Sequence, residues 1–210
     1  LSIRIPETVS SHYLPSVLKR FRQRHSKVNF VFMNCVYFSL PEDLKAGIVD
    51  LGFLITDTFQ MENLTTETLC SIPLVMVAHP MHPLAGTSDI NISNLKHEPL
   101  IAPANDCSYM RMLEGLLAEQ KVELTMVWQL NSIAAVKQVL ISGTGYSVLP
   151  EVVVREELAA GTLSILPWRA GLTTANLLMI WQKNKWLPPI LQEFMQMIRE
   201  DLSDDSVQAH

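Results

Sequence analysis

NSIAAVKQVLISGTGYSVLPEVVV, residues 131–154, decides the fold class of this chain. Asn131 or Ser132 suits a helix N-cap, because a short side-chain oxygen accepts one of the helix's orphan backbone N–H groups. Ile133, Val136 and Leu140 then recur at i, i+3 and i+7, one apolar face of a helix. Gly143 ends that helix, since glycine enters a left-handed conformation without steric cost. After Gly145, Tyr146-Ser147-Val148-Leu149 reads as a short strand, and Pro150 closes it and opens a helix at Glu151. Helix, glycine turn, strand and helix in this order are the grammar of an α/β chain.

The same grammar extends toward the amino terminus. Residues 1–6 alternate and read as a strand stopped by Pro6. Thr8, Ser10 and Ser11 precede a helix running to about His25, with Pro15 tolerated near its first turn. Residues 28–36 form a second strand. Ser39-Leu40-Pro41-Glu42 has the spacing of a capping box, and its short helix ends at Gly47 ahead of a buried strand at 51–55. This spacing predicts a doubly wound unit on a parallel sheet. A strand at 69–78 runs into His79-Pro80-Met81-His82-Pro83, where two prolines interrupt regular structure and mark a boundary. A second unit follows: a strand at 99–102, a helix at 108–120, an alternating strand Leu124/Met126/Trp128/Leu130, and the opening cassette. Further strands are expected at 162–167 and 176–182. Pro188-Pro189 starts a last helix with Ile190, Phe194, Met197 and Ile198 on one face.

Composition bounds the function. The 210 residues are 48% hydrophobic and 18% charged, enough apolar material for a substantial core in one domain or two small ones. The polar tail at 203–210 is expected to fray. No apolar run approaches the roughly 18 residues of a membrane span, and residues 1–6 lack the pattern of a signal peptide. A net charge of −5 argues against direct contact with DNA, whose phosphates call for a basic stripe. The one basic cluster, Lys19, Arg20, Arg22, Arg24 and Lys27, reads as a solvated helix face. Cys35, Cys70 and Cys107 are odd in number and far apart, which points to a reducing compartment, with Cys35 and Cys70 as small core residues.

The Ser142-Gly143-Thr144-Gly145 turn and the strand ending in Leu149-Pro150 resemble the effector-binding domain of LysR-type transcriptional regulators. The resemblance continues through Leu14-Pro15, Leu44-Lys45-Ala46-Gly47 ahead of Asp50-Leu51-Gly52, His82-Pro83-Leu84, and Glu98-Pro99-Leu100-Ile101. It implies two Rossmann-like α/β subdomains with a ligand cleft between them, of the type 2 periplasmic-binding-protein kind. Subdomain I would comprise 1–78 plus 177–210 and subdomain II 79–176, with crossovers near 76–80 and 174–179. The family's helix-turn-helix is absent from these residues, so DNA would be reached only through that missing N-terminal domain. The resemblance further implies a cytoplasmic homodimer or homotetramer in which the first helix meets the partner chain. Exposed apolar residues on the helix at 14–21 or the strand at 28–32 would suit that contact.

Open α/β sheets bind ligands outside the carboxyl ends of their strands, where helix N-termini present free N–H groups. Three turns fit here: Thr8, Val9, Ser10 and Ser11 after the first strand; Asn105, Asp106, Cys107 and Ser108 after the strand at 99–102; and Asn131 with Ser132. Their hydroxyl and amide groups can bind a carboxylate or similar small anion together with the backbone. Plain N-capping explains the same residues with no ligand at all. By resemblance, the first two turns face one another across the cleft and Thr56 lines it. The candidate set is therefore Thr8, Val9, Ser10, Ser11, Thr56, Asn105, Asp106, Cys107, Ser132 and Gly145. The expected effector is a small organic acid or an amino-acid-like metabolite, and the carboxylate of Asp106, which would repel an anion, points toward a neutral or zwitterionic one.

Other chemistries lack their residues. His79 and His82 precede prolines with no Cys or carboxylate cluster beside them, so no metal site is expected. The chain has no G-x-S-x-G, H-E-x-x-H, P-loop or G-x-G-x-x-G motif, and no enzyme activity or cofactor is expected. Cys107, near a helix N-terminus, is the one residue with a possible redox role. The rival from another class is a transporter's solute-binding protein, which shares the two-lobed fold and would need an export signal or lipid anchor.

Overall fold

Ile3 and Ile5 are buried while Ser2 and Arg4 are half exposed, the period-two signature of β1 (Ser2–Ile5). The structure, a computed structural model, describes residues 1–87, 90–104, 108–124, 126–168 and 172–203, without the side chains of Ile92 and Ser203. Most of the tail at 203–210 therefore lies outside the described residues. The chain divides into two units, one of Leu1–Ser71 with the segment from Asn176 onward, the other of Ile72–Ala175.

In the first unit β1 leads through a π-helical turn (Val9–Tyr13) into α1 (Leu14–Arg24). Then come β2 (Val31–Asn34), α2 (Leu40–Lys45) and β3 (Leu51–Thr56). β1 pairs in parallel with β2 on one side and β3 on the other. All six residues of β3 are buried, as a strand covered on both faces requires. Leu40, Leu44, Val49, Leu54, Phe59, Leu178 and Ile180 pack on one another in one core cluster. Elsewhere in the unit, Phe21, Phe30 and Phe194 meet with ring centroids 5.0–5.4 Å apart.

β4 (Leu64–Ala78) carries the chain into the second unit. There follow a 3₁₀ turn (Ile92–His97), β5 (Leu100–Pro103), α3 (Ser108–Glu119) and β6 (Val127–Leu130). The quoted cassette supplies α4 (Ile133–Ile141), β7 (Tyr146–Pro150) and α5 (Glu151–Ala159). β5 runs parallel to β6 and β7, and β4 is antiparallel to β7. Ile133, Val136 and Leu140 are buried against Val77, Ile101, Leu149 and Val153, so the predicted face of α4 does meet the sheet. Lys137 of α4 reaches α5, with Nζ 2.7 Å from a Glu157 carboxylate oxygen and donating to the Val153 carbonyl at 3.0 Å.

After the two-residue β8 (Ser164–Ile165), β9 (Thr174–Gln182) runs antiparallel to β3 and α6 (Pro189–Ser203) completes the first unit. Arg20 and Ser16 of α1 both donate to the Asp201 carboxylate, at 2.7 and 2.6 Å. Arg199 forks onto both oxygens of Glu67 on β4, each at 2.8 Å. These bonds fix α6 on the first unit.

Local expectations needed correction where a neighbouring group took over. The Ser39 capping box does not form: Ser39 is itself in helical conformation, and its hydroxyl donates to Asp43 at 3.2 Å. The helix expected after Thr8 is split by the π turn. The strand at 28–36 shrinks to four residues because a His25–Val28 turn holds its start. At 162–167 only Ser164 and Ile165 pair, while Leu163 and Leu166 are buried from either side. The last helix buries Leu191, Phe194, Met195, Met197, Ile198 and Leu202, with Ile190 only half covered.

Candidate functional site

Because β1 and β3 are parallel, in the register Ile3 to Leu51 and Arg4 to Gly52, their carboxyl ends emerge on one edge of the first unit's sheet. That edge carries the Thr8, Val9, Ser10 and Ser11 turn after β1 and Thr56 at the end of β3. Pro6 stops β1, and its carbonyl accepts the N–H groups of both Val9 and Ser10, at 3.0 and 3.1 Å. Thr8, Val9 and Thr56 are buried, Ser10 is half-buried and Ser11 exposed.

The hydroxyls of this edge are already oriented. Ser10 and Ser11 donate to the Glu7 carbonyl at 3.0 and 2.7 Å, and Ser11 Oγ lies 2.7 Å from His12 Nδ1. Thr56 Oγ1 donates to Asp57 Oδ1 at 3.1 Å, the oxygen that also accepts the Thr58 N–H at 2.7 Å. A hydroxyl that spends its proton inward presents lone pairs outward. The edge as it stands therefore offers acceptors to a ligand's N–H or O–H groups, beside the carboxylate of Asp57. An anion would need these hydroxyls to turn.

Two further residues belong to this edge and escaped the sequence reading. Asn176, paired across the strands with Thr56, donates from Nδ2 to the Asp57 carbonyl at 2.9 Å. Cys35, buried just past β2, donates its N–H to the Ile5 carbonyl at 3.3 Å. The Thr56-Asp57-Thr58 run at a strand end is a readable polar-turn signal. Nothing local marks Asn176, which reaches the edge only through the antiparallel return of β9.

In the second unit Asn105, Asp106 and Cys107 lie outside the described residues. Ser132, past the carboxyl end of β6, accepts the Ala135 N–H at 3.2 Å and so is a working N-cap. Gly145 sits at the opposite, amino edge of these strands. It is held at φ +65°, with the Pro99 carbonyl where a Cβ would stand, so packing explains the glycine there. Among the described residues no group of three or more His, Cys, Asp or Glu could hold a metal ion. His79 and His82 each accept a local N–H at Nδ1, from Met81 and Leu84, and His82 Nε2 is 3.3 Å from Glu98.

Such an edge gathers small hydroxyls and an amide at the carboxyl ends of parallel strands, where open α/β sheets take their ligands. The comparisons say which kind of domain carries it. The LysR substrate binding domain profile matches residues 1–203, and the chain belongs to that family, the effector-binding regulatory domain of LysR-type regulators, which is not a family of enzymes.

Over 202 residues the chain is 29% identical to an uncharacterized HTH-type transcriptional regulator, YwqM, of Bacillus subtilis, covering 95% of this chain and 68% of that protein. It is 24% identical to the transcriptional activator CmpR of Synechocystis, covering 91% and 62%. The chain thus spans about two thirds of these relatives. Among solved structures, the CcmR regulatory domain of Synechocystis in complex with 2-PG matches at a TM-score of 0.83 and 23% identity, covering 98% of each chain. The effector-binding domain of QuiR in complex with shikimate matches at 0.77 and 19%, covering 95% of each. The fold is the mixed α/β, periplasmic-binding-protein type 2 kind.

Proposed function

We propose that this domain senses a small polar metabolite held at the carboxyl edge of β1 and β3 by Thr8, Ser10, Ser11 and Thr56. The observation that carries the reading is the gathering of these hydroxyls with Asn176 at one edge of a parallel sheet, where open α/β sheets take their ligands. Domains of the same fold have been solved with 2-PG and with shikimate, both small polar acids. The acceptor-rich state of the hydroxyls favours a ligand that also brings hydroxyl or ammonium donors.

Binding acts by population shift: the effector favours the conformation that holds it best, and the full-length regulator relays this to its DNA-binding domain. The domain works in the cytoplasm as a homo-oligomer, reaching DNA only through that other domain. Among the described residues no helix is long and apolar enough to cross a membrane. For the partner contact, α1 offers little apolar surface, since Leu14, Val17 and Phe21 face the core. β2, paired among the described residues with β1 alone, exposes Val31 and Phe32 and supplies the contact instead.

The test is a thermal-shift screen with 2-phosphoglycolate, shikimate and the amino acids, since a ligand bound to the folded state raises its apparent stability. Thr8→Ala and Thr56→Ala should each reduce the best hit's shift. A hit unaffected by both removes the site. Sedimentation that shows a monomer at every concentration removes the oligomer.

A further inference from the structure

The first helix is phased in two parts. Leu14, Val17 and Phe21 are buried at i, i+3 and i+7, a regular α-helical face. Continued backward at that spacing, the helix would bury Ser10, four residues before Leu14 and seven before Val17. The residue in the core is Val9, together with Tyr13, while Ser10 is half-buried and Ser11 exposed. The π turn makes this exchange. The Leu14 N–H donates to the Val9 carbonyl, five residues back, and the extra residue rotates everything upstream by about 100°, one step of a 3.6-residue turn.

Pro15 stands where the turn meets α1. It has no N–H to give the Ser11 carbonyl four residues back, and in a regular helix its ring would press on that carbonyl. A turn widened by one residue relieves the contact. The sequence places an apolar Val9 and a polar Ser10 to suit the shifted phase, so proline and core agree on the same bulge.

We propose that Pro15 is a positioning residue for effector recognition. By holding the π turn it sends Val9 into the core and turns Ser10 and Ser11 outward at the carboxyl edge of β1. This rests on the reading that the turn after β1 holds the effector. The proline touches no ligand itself.

Pro15→Ala supplies the missing N–H. Its crystal structure is expected to show the Ser11 carbonyl accepting from residue 15, the Leu14 N–H moved off the Val9 carbonyl, and Ser10 rotated toward the core. A structure that keeps the Leu14–Val9 bond overturns the proposal. Titration with 2-phosphoglycolate and with shikimate should show binding weakened tenfold or more by Pro15→Ala, with the thermal midpoint of the free protein lowered as Val9 leaves the core. Val17→Ala, which leaves the turn intact, should lower that midpoint and leave the dissociation constant unchanged. Equal affinity in Pro15→Ala and the unsubstituted protein also overturns the proposal. Binding of neither compound by the unsubstituted protein counts against the effector reading for these two ligands, while the Pro15→Ala structure still decides whether the proline sets the turn.

Discussion

Gly145 faces the Pro99 carbonyl oxygen at the start of the neighbouring strand so closely that a methyl group on its α-carbon would collide with backbone. Its φ of +65° adds conformational strain for any other residue. Gly145→Ala should therefore lower the unfolding free energy by about 2–4 kcal/mol in urea titration. Gly143, at φ +90° with open space around it, supplies the control. Gly143→Ala carries only the strain, about 1–2 kcal/mol. Equal losses at the two glycines would remove the packing account.

The neighbouring Tyr146 is fully buried, and its hydroxyl has no hydrogen-bond partner among the described residues. Burial, and then the charge of Glu98, push that hydroxyl above its ordinary pKa, so it stays neutral. Tyr146→Phe removes an unsatisfied polar atom and leaves the ring. The expected result is unchanged stability or a gain of about 1 kcal/mol, read by urea or thermal unfolding. A clear loss would reveal a partner for the hydroxyl.

Arg199 and Glu67 join α6 to β4 through a two-pronged bond, both side chains about one third exposed. Arg199→Lys keeps the charge and loses the fork. It should destabilise by about 0.5–1 kcal/mol after allowance for solvent screening. The Lys variant's loss should come close to that of Arg199→Ala if planar geometry, and not charge, is what matters.

Burial pushes the Cys70 thiol up to about 11. The thiolate fraction at pH 8 is then about a hundredfold below that of a thiol at the usual value. Site-resolved iodoacetamide labelling should leave Cys70 unmodified in the folded protein and modify it readily in urea. Rapid native labelling would show that β4 opens.

Glu193 accepts a hydrogen bond from His25, with Arg24 beside it, and its carboxyl is held below the usual carboxylate range. A depressed carboxyl contributes stability above its unfolded pKa and loses it as pH falls through the folded value. Glu193→Gln should thus lower the thermal midpoint slightly near pH 6, and the difference should narrow as pH falls below the ordinary glutamate value of about 4.3. A gap that does not narrow as pH falls would assign the effect to packing.

The fold was readable where one local interaction decides the geometry. Ser132 caps α4, Gly143 closes it, and Ile133, Val136 and Leu140 face the sheet, each following from a side chain and its near neighbours. Reading failed where two neighbours competed. Ser39 had the right spacing to cap α2, yet the Asp43 carboxylate took its hydroxyl proton. The alternation of Leu124 to Leu130 promised a half-buried strand, and β6 instead leaves Val127 and Trp128 both about half exposed. Of the candidate site, the turn after β1 was visible because strand ends are visible, and Thr56 came only through the family resemblance. Asn176 was not, since only the antiparallel register of β9 brings it there.

The bulge ahead of Leu14 also bears on how relatives should be compared. A homologue whose first helix winds without interruption would need one residue fewer between its opening strand and the equivalent of Leu14 to keep both anchored. An alignment that forbids a gap there would match Ser10 with that homologue's core position and misassign which side chain greets the solute. Gap placement at this single turn is therefore a chemical statement about recognition, to be settled by which residue is hidden and which is not.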